Sequence, residues 1–205
     1  MSRWGAVFGR ILDSVFPSTC CGCGLPGVSF CPECMPRTPV RRLLCGPLVV
    51  SAVGPYAGPL RKAILQFKHG RRDTGATLAA LLAERAGSRC ARDAVFVPVP
   101  TVAARRRERG FDQSAILAQA CAERSGCPVL LALHQRTNEA QRGRSREARL
   151  RARDRFICAS PTLVEGMRVV LVDDVITTGS TLRDCAATLQ ASGAHVSEAI
   201  VLAYA

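Results

Sequence analysis

The chain has 205 residues, a formal net charge of +12, 48% hydrophobic residues and eleven cysteines. This length can bury one α/β core with room for a small appendage, and the apolar fraction supports a globular protein rather than a disordered one. No apolar run approaches the roughly 18 residues of a transmembrane helix. The positive charge favours polyanionic partners, although it is carried almost wholly by arginine, with Lys62 and Lys68 the only lysines. The cysteine count is odd, and Cys121, Cys158 and Cys185 fall in apolar patterns. Reduced thiols in a cytoplasmic protein are therefore expected, not a disulfide framework.

Residues 1–16 contain Arg10 and Asp13 inside their apolar stretch, which makes a poor signal peptide. Trp4, Val7, Phe8, Ile11, Leu12 and Val15 instead share one helical face. An amphipathic helix docking on the body of the protein or on a partner is expected, with a membrane surface as the alternative.

Residues 17–40 carry two C-x-x-C knuckles, Cys20 with Cys23 and Cys31 with Cys34. Each knuckle supplies two thiolates, and four thiolates close a tetrahedral structural zinc site with no open position. Cys21 is an alternative ligand by spacing. A metal staple explains how a Pro- and Gly-rich segment with almost no core of its own folds.

Arg37 to Pro47 reads as a basic, proline-flanked linker. Leu48 to Val53 reads as a strand and 54–58 as a turn. Leu60, Ala63, Ile64 and Phe67 mark an amphipathic helix that runs into the basic stretch 68–72, a solvated helix end or the lining of an anion site. Thr74 is expected to cap a helix over Gly75 to Arg85. Ala94 to Val97 is a buried strand ended by Pro98-Val99-Pro100. Arg105, Arg106, Arg107 and Arg109 follow. Asp112 is expected to cap a helix over Gln113 to Arg124, with Ala115, Ala118 and Ala122 facing inward. A basic loop at a helix start is a candidate pyrophosphate site.

Pro128 to Ala132 reads as a short strand. Leu133 to Arg153 is long, polar and rich in arginine, including Arg142 and Arg149, and reads as a mobile loop or a frayed helix. A lid over a charged substrate would have this composition, and so would an arm tracking a nucleic-acid backbone, though it lacks aromatics for base stacking. Phe156 to Cys158 and Val196 to Tyr204 are further strands.

Residues 168–181 organise the rest. Val169 to Val172 is a β-branched-rich run suited to a strand buried on both faces. It is expected to end at Asp173 and Asp174. Thr177, Thr178, Gly179, Ser180 and Thr181 follow, and then a helix marked by Leu182, Cys185, Ala186 and Leu189. A hydroxyl- and glycine-containing loop at a helix N-terminus is a phosphate site. The carboxylates would repel that phosphate and suit ribose hydroxyls or a magnesium ion. Together these groups describe a phosphorylated ribose.

Residues 172–181 resemble the signature of phosphoribosyltransferases for 5-phosphoribosyl-1-pyrophosphate (PRPP). The knuckles, residues 56–61, 68–70, 97–100 and 109–113, the arginine loop and this signature stand in the order found in the competence protein F (ComF-like) family. The resemblance covers nearly the whole chain. It implies a parallel-sheet α/β fold of the type I phosphoribosyltransferase kind over 48–205, with a small N-terminal zinc-ribbon segment built on four cysteines. It implies that Asp173 and Asp174 face the ribose 2- and 3-hydroxyls, with Asp174 nearer the anomeric carbon. Thr177 to Thr181 would hold the 5-phosphate. Val99, Pro100, Arg105 and Arg109 would hold pyrophosphate, and Arg142 and Arg149 would close over it. Mg²⁺ would accompany PRPP. Members of the family are linked to DNA uptake, so single-stranded DNA and a competence helicase are the implied partners, and an oligomer is possible. The sequence departs from the family at Asp112 and Ala152, where asparagine is common; both positions bear on contacts around the pyrophosphate, and so on turnover more than on phosphate binding. An enzyme and a non-catalytic DNA-associated accessory protein are both consistent with these residues.

Overall fold

The computed structural model describes residues 18–87, 93–101, 110–136 and 155–205. The expected N-terminal helix lies outside them. Two strands open the main body, β1 (Arg41–Cys45) and β2 (Leu48–Pro55), followed by helices α1 (Gly58–Lys68) and α2 (Arg72–Arg85). Then come β3 (Ala94–Pro98), α3 (Gln113–Ser125), β4 (Leu133–Gln135), β5 (Phe156–Cys158) and the short α4 (Pro161–Val164). The chain ends with β6 (Arg168–Ile176), α5 (Ser180–Gln190) and β7 (His195–Tyr204).

The main sheet has the order β1-β2-β7-β6-β3. β2, β7, β6 and β3 run parallel, while β1 adds an antiparallel edge. β1 occupies part of the expected linker. Its pattern Arg41-Arg42-Leu43-Leu44-Cys45 reads as basic and irregular, but Gly46 at φ 62° opens a two-residue hairpin loop that folds it onto β2. The parallel strands alternate between two cores. Val53, Phe96, Val170, Val172 and Leu202 pack under α1, α2 and α3. Val50, Val95, Val97, Val169, Leu171 and Val201 pack under α5. Burial on both faces is why these strands read as continuous apolar runs.

Three boundaries differ from expectation. β6 does not end at the acid pair but continues to Ile176, because Asp173 and Val175 stay in register with Val201 and Ala203 of β7. α2 begins at Arg72, so Thr74 is buried within its first turn and does not cap it. Residues 128–132 supply a single parallel bridge, Phe96 to Val129, while β4 begins at Leu133 and pairs with β5. Asp112 does cap α3, accepting from the Ala115 amide at 3.4 Å. Ala118 and Ala122 face inward as expected, but Ala115 is only half-buried.

Gly75 sits in the interior of α2, where glycine is intrinsically unfavourable. A Cβ there would lie 2.4 Å from the Phe67 ring. That ring stacks on Phe111, with centroids 5.6 Å apart, so it cannot move aside freely. Gly75→Ala is expected to destabilise the protein by about 1–3 kcal/mol in spite of alanine's better helix propensity. Urea unfolding of the variant beside the parent measures the sign.

Candidate functional site

β6 is flanked by β7 and by the edge strand β3, so its C-terminal end lies inside the parallel sheet, with helices on both faces. Ligands of open α/β sheets gather at that edge. The pleat turns the two acids to opposite faces. Asp174 turns toward α1, and its Oδ2 lies 2.8 Å from the Lys68 ammonium. Asp173 turns toward α5: burial and then the Asp173 charge raise the Cys185 thiol above its ordinary range. Asp173 Oδ1 accepts the Asp174 amide at 2.8 Å. Burial, followed by repulsion from Asp174, pushes the Asp173 carboxyl up to about 8, against the pull of that amide and of Lys68.

The hydroxyl-rich bend follows directly. Thr177, Thr178 and Ser180 are exposed, Thr181 is half-buried and Gly179 is buried. Thr178 Oγ1 accepts the Ser180 amide at 3.4 Å and lies 3.2 Å from Ser180 Oγ. Gly179 is the N-cap of α5, in the left-handed region at φ 71°. The first helical bond runs from the Arg183 amide to Gly179 O at 3.0 Å. The amides of Thr181 and Leu182 precede that bond, at the positive end of the helix dipole.

Two residues of this bend escaped the sequence reading. Arg183 Nη1 donates to Thr178 O at 3.0 Å and lies 3.2 Å from Cys45 Sγ. Cys45, on the unexpected edge strand β1, is buried beneath Gly179. A Cβ on Gly179 would meet Cys45 Sγ at 2.1 Å. Arginine one turn into a helix is ordinarily a surface residue, so nothing in its spacing marked it. Gly179→Ala meets both a left-handed backbone and this thiol, and is expected to cost about 2–4 kcal/mol. Thermal unfolding would show the loss, and Cys45→Ala should restore part of it by removing the clash.

On the β3 side, the Val99 amide donates to Val172 O at 2.9 Å, so the Val99-Pro100 loop starts beside the acid pair. Ser114 Oγ donates to Val99 O and lies 2.8 Å from Asp112 Oδ1. Thr101 Oγ1 donates to the same carboxylate oxygen at 3.2 Å. Asp112, the departure from the family pattern, thus fastens Thr101, Ser114 and the start of α3 together. Arg105, Arg109, Arg142, Arg149 and Ala152 lie outside the described residues. The base of the arginine loop is closed by β4–β5 pairing and by the Arg136 amide, which donates to Arg155 O at 2.9 Å.

The structure brings together Asp173, Asp174, Thr177 to Thr181, Val99 and Pro100 at one sheet edge. It adds Lys68, weighed in the sequence only as a lining residue. The cysteines form a separate group. The Sγ atoms of Cys20, Cys23, Cys31 and Cys34 all lie within 4.8 Å of one another, and Cys21 is not among them. Cys23 and Cys31 are 3.7 Å apart, close to the edge of about 3.8 Å that four Zn–S bonds of about 2.3 Å require. Amides of Gly22 and Cys31 point at Cys20 Sγ at 3.4 and 3.3 Å. Burial resists ionisation of Cys20, but the amides of Cys23, Cys31 and Gly22 overcome it and bring the thiol down to about 6. A preformed thiolate with three neighbouring sulfurs fits structural zinc. The cluster is tied to the body: Cys20, Phe30 and Cys31 join Leu78 and Leu82 in the core, and Arg85 donates to Pro36 O and Thr38 O.

Residues 73–205 match the family model for the phosphoribosyl transferase domain. DNA utilization protein YhgH of Salmonella typhimurium is 34% identical over 209 residues, covering 95% of this chain and 88% of its own. The chain is a ComF-like member of the phosphoribosyltransferase family. DNA utilization protein YhgH of Escherichia coli is 33% identical over 85% of this ComF-like chain and 79% of its own. Competence protein ComFC of Bacillus subtilis is 36% identical over 48% of this chain and 39% of its own. Among solved structures, glutamine phosphoribosylpyrophosphate (PRPP) amidotransferase from B. subtilis, complexed with ADP and GMP, aligns at TM-score 0.45 and 28% identity. That alignment covers 62% of this chain and 25% of the other. Among the described residues of this ComF-like protein, no helix is long and apolar enough to cross a membrane.

Proposed function

We propose that this protein binds a phosphoribosyl ligand, PRPP or a close relative, at the C-terminal edge of β6. The observation that carries the reading is the junction of Asp173 and Asp174 with a hydroxyl-lined helix start whose N-cap is a left-handed glycine. The amides and hydroxyls of Thr177 to Thr181 suit a terminal phosphate, and the acids suit a vicinal diol. Mg²⁺ fits the same carboxylates, since it takes one or two of them together with ligand phosphates. When bound it would neutralise the pyrophosphate. Val99, Pro100, Arg105 and Arg109 are the proposed pyrophosphate side, with Arg142 and Arg149 closing it. Transfer to a nitrogen nucleophile would then rest on positioning and charge stabilisation, with Asp174 beside the reacting carbon.

Lys68 gives this site a resting state. It neutralises Asp174 while no cation is present, and an incoming cation competes with it. Asp173 must also give up its proton. Its carboxyl is raised to about 8, so the protonated form dominates below that pH and the ionised form above it. Affinity for Mg²⁺ with PRPP is therefore expected to rise from pH 6 to pH 9, by about tenfold per pH unit below 8 for one proton released. Calorimetry in buffers of different ionisation enthalpy counts that proton. A pH-independent affinity would remove Asp173 from the site.

The names of the relatives favour a second reading of what binding serves. A role in DNA use or competence would need contact with single-stranded DNA or with a helicase partner, through the arginine-rich surface and the cysteine segment. One pair of assays separates the readings. Pyrophosphate release from PRPP with a panel of bases and amines, abolished by Asp173→Asn with Asp174→Asn, identifies a transferase. Salt-sensitive binding of single strands that survives those changes, and fails on chelation, identifies an accessory protein. The cytoplasm is the proposed location.

A further inference from the structure

The outer faces of α2 and α3 meet along a groove of about 870 Å³. Ala76, Ala80, Ala115, Ile116 and Ala120 line it with small apolar surface, and Glu84 and Glu123 stand among its polar residues. Ala76, Ala80 and Glu84 recur every four residues, on the side of α2 turned away from Leu78 and Leu82 in the core. Ala76 and Ala80 are exposed and Ala115 and Ala120 half-buried, and such small apolar surface is a poor match for water and a good match for bulky side chains.

We propose that residues 1–17 of this same chain dock in this groove as an amphipathic helix. The tether places them there. The Gly27 amide donates to Ser18 O at 2.8 Å, and Ser29 lies 2.9 Å from Thr77, hydroxyl to hydroxyl. The segment therefore leaves the described body from the loop that Ser29 fastens to Thr77, the neighbour of Ala76 on α2. Its length matches: 17 helical residues span about 25 Å, against about 21 Å for the 14 residues of α2. Its shape is complementary, since Trp4, Phe8, Ile11 and Leu12 are large where the groove side chains are small. Its charge is complementary as well. Arg3 and Arg10 are seven residues apart, on one border of the apolar stripe, and the charged lining of the groove is Glu84, Asp112 and Glu123 against one cation, Arg124, in a chain of net charge +12. A helix seated there would brace α3, whose N-terminus holds Asp112 and the Val99 loop.

Trp4 is the single tryptophan, so its fluorescence reports the helix alone. In the full chain its emission is expected to be blue-shifted, poorly quenched by acrylamide and independent of protein concentration. Ala80→Arg and Ala120→Arg should each shift the emission to the red and raise the quenching constant several-fold, with unchanged circular dichroism. Phe8→Glu, which leaves the body of the protein untouched, should do the same, and adding Ala80→Arg to it should change nothing more. Hydrogen exchange over residues 76–84 and 115–123 should quicken in Phe8→Glu. A solvent-exposed Trp4 in the parent chain overturns the proposal. So does a buried Trp4 indifferent to both groove variants, and so does burial that grows with protein concentration, which would assign the site to a second copy.

Discussion

Asp173→Asn with Asp174→Asn abolishes binding of PRPP with Mg²⁺, while the fold survives. The two substitutions remove the charges that a cation needs and keep the size of the side chains. Their structural consequences differ. Asp173 is mostly protonated below pH 8, so asparagine imitates its resting state. Its raised carboxyl contributes stability that is complete below the ordinary carboxylate range and lost as pH rises through 8. Asp173→Asn alone should therefore make the ligand-free protein more stable at pH 9, and by clearly less at pH 5, where the loss has only begun. Asp174→Asn breaks the ion pair with Lys68, a partly exposed pair, so its cost should stay within about 1–3 kcal/mol. Titration calorimetry with PRPP and Mg²⁺, run beside thermal unfolding at both pH values, reads binding and stability separately. Retained affinity in the double variant, with an intact fold, would mean that the phosphoribosyl ligand is held elsewhere.

Removal of the metal is expected to have the largest effect on stability. Zinc content should be one ion per chain, and Cys20→Ser should bring it to none. Cys20 is buried and receives two amide contacts, so the loss of its sulfur leaves three thiolates and two misdirected donors. The consequence reaches the body, because Phe30 and Cys31 share a core with Leu78 and Leu82. Loss of about 3–5 kcal/mol would lower Tm by roughly 10 °C or more in a chain of this size. Cys21→Ser serves as the control. Burial, the main influence on Cys21, keeps its thiol above the ordinary range, and its sulfur stands outside the cluster. Metal analysis and calorimetric scans of both variants decide the ligand set. A Cys21→Ser protein that loses its zinc would reassign the knuckle.

The cluster shows how far spacing carries. Two C-x-x-C pairs left Cys21 open as a ligand, and only folded coordinates separate it from Cys20, because adjacent side chains leave a turn in different directions. The phosphate bend shows the same division. Its order of strand, acids, hydroxyls, glycine and helix was legible because each step depends on neighbours in the chain. Lys68 and Cys45 were not, since Lys68 lies 106 positions and Cys45 134 positions from their partners Asp174 and Gly179. The strand β1 was hidden for a related reason. Its exposed arginines carry no apolar alternation, and pairing with β2 supplies what propensity does not.

Sequence by itself determined the α/β class, the two core faces, the cysteine knuckles and the acid–hydroxyl bend, because these depend on local periodicity and on residue types with narrow chemistry. Tertiary structure alone decided that Lys68 neutralises Asp174, that Cys45 lies beneath Gly179 and that β6 carries Asp173 in register with β7. Those contacts join residues far apart in the chain, and they form only when the helices and the edge hairpin pack on the sheet.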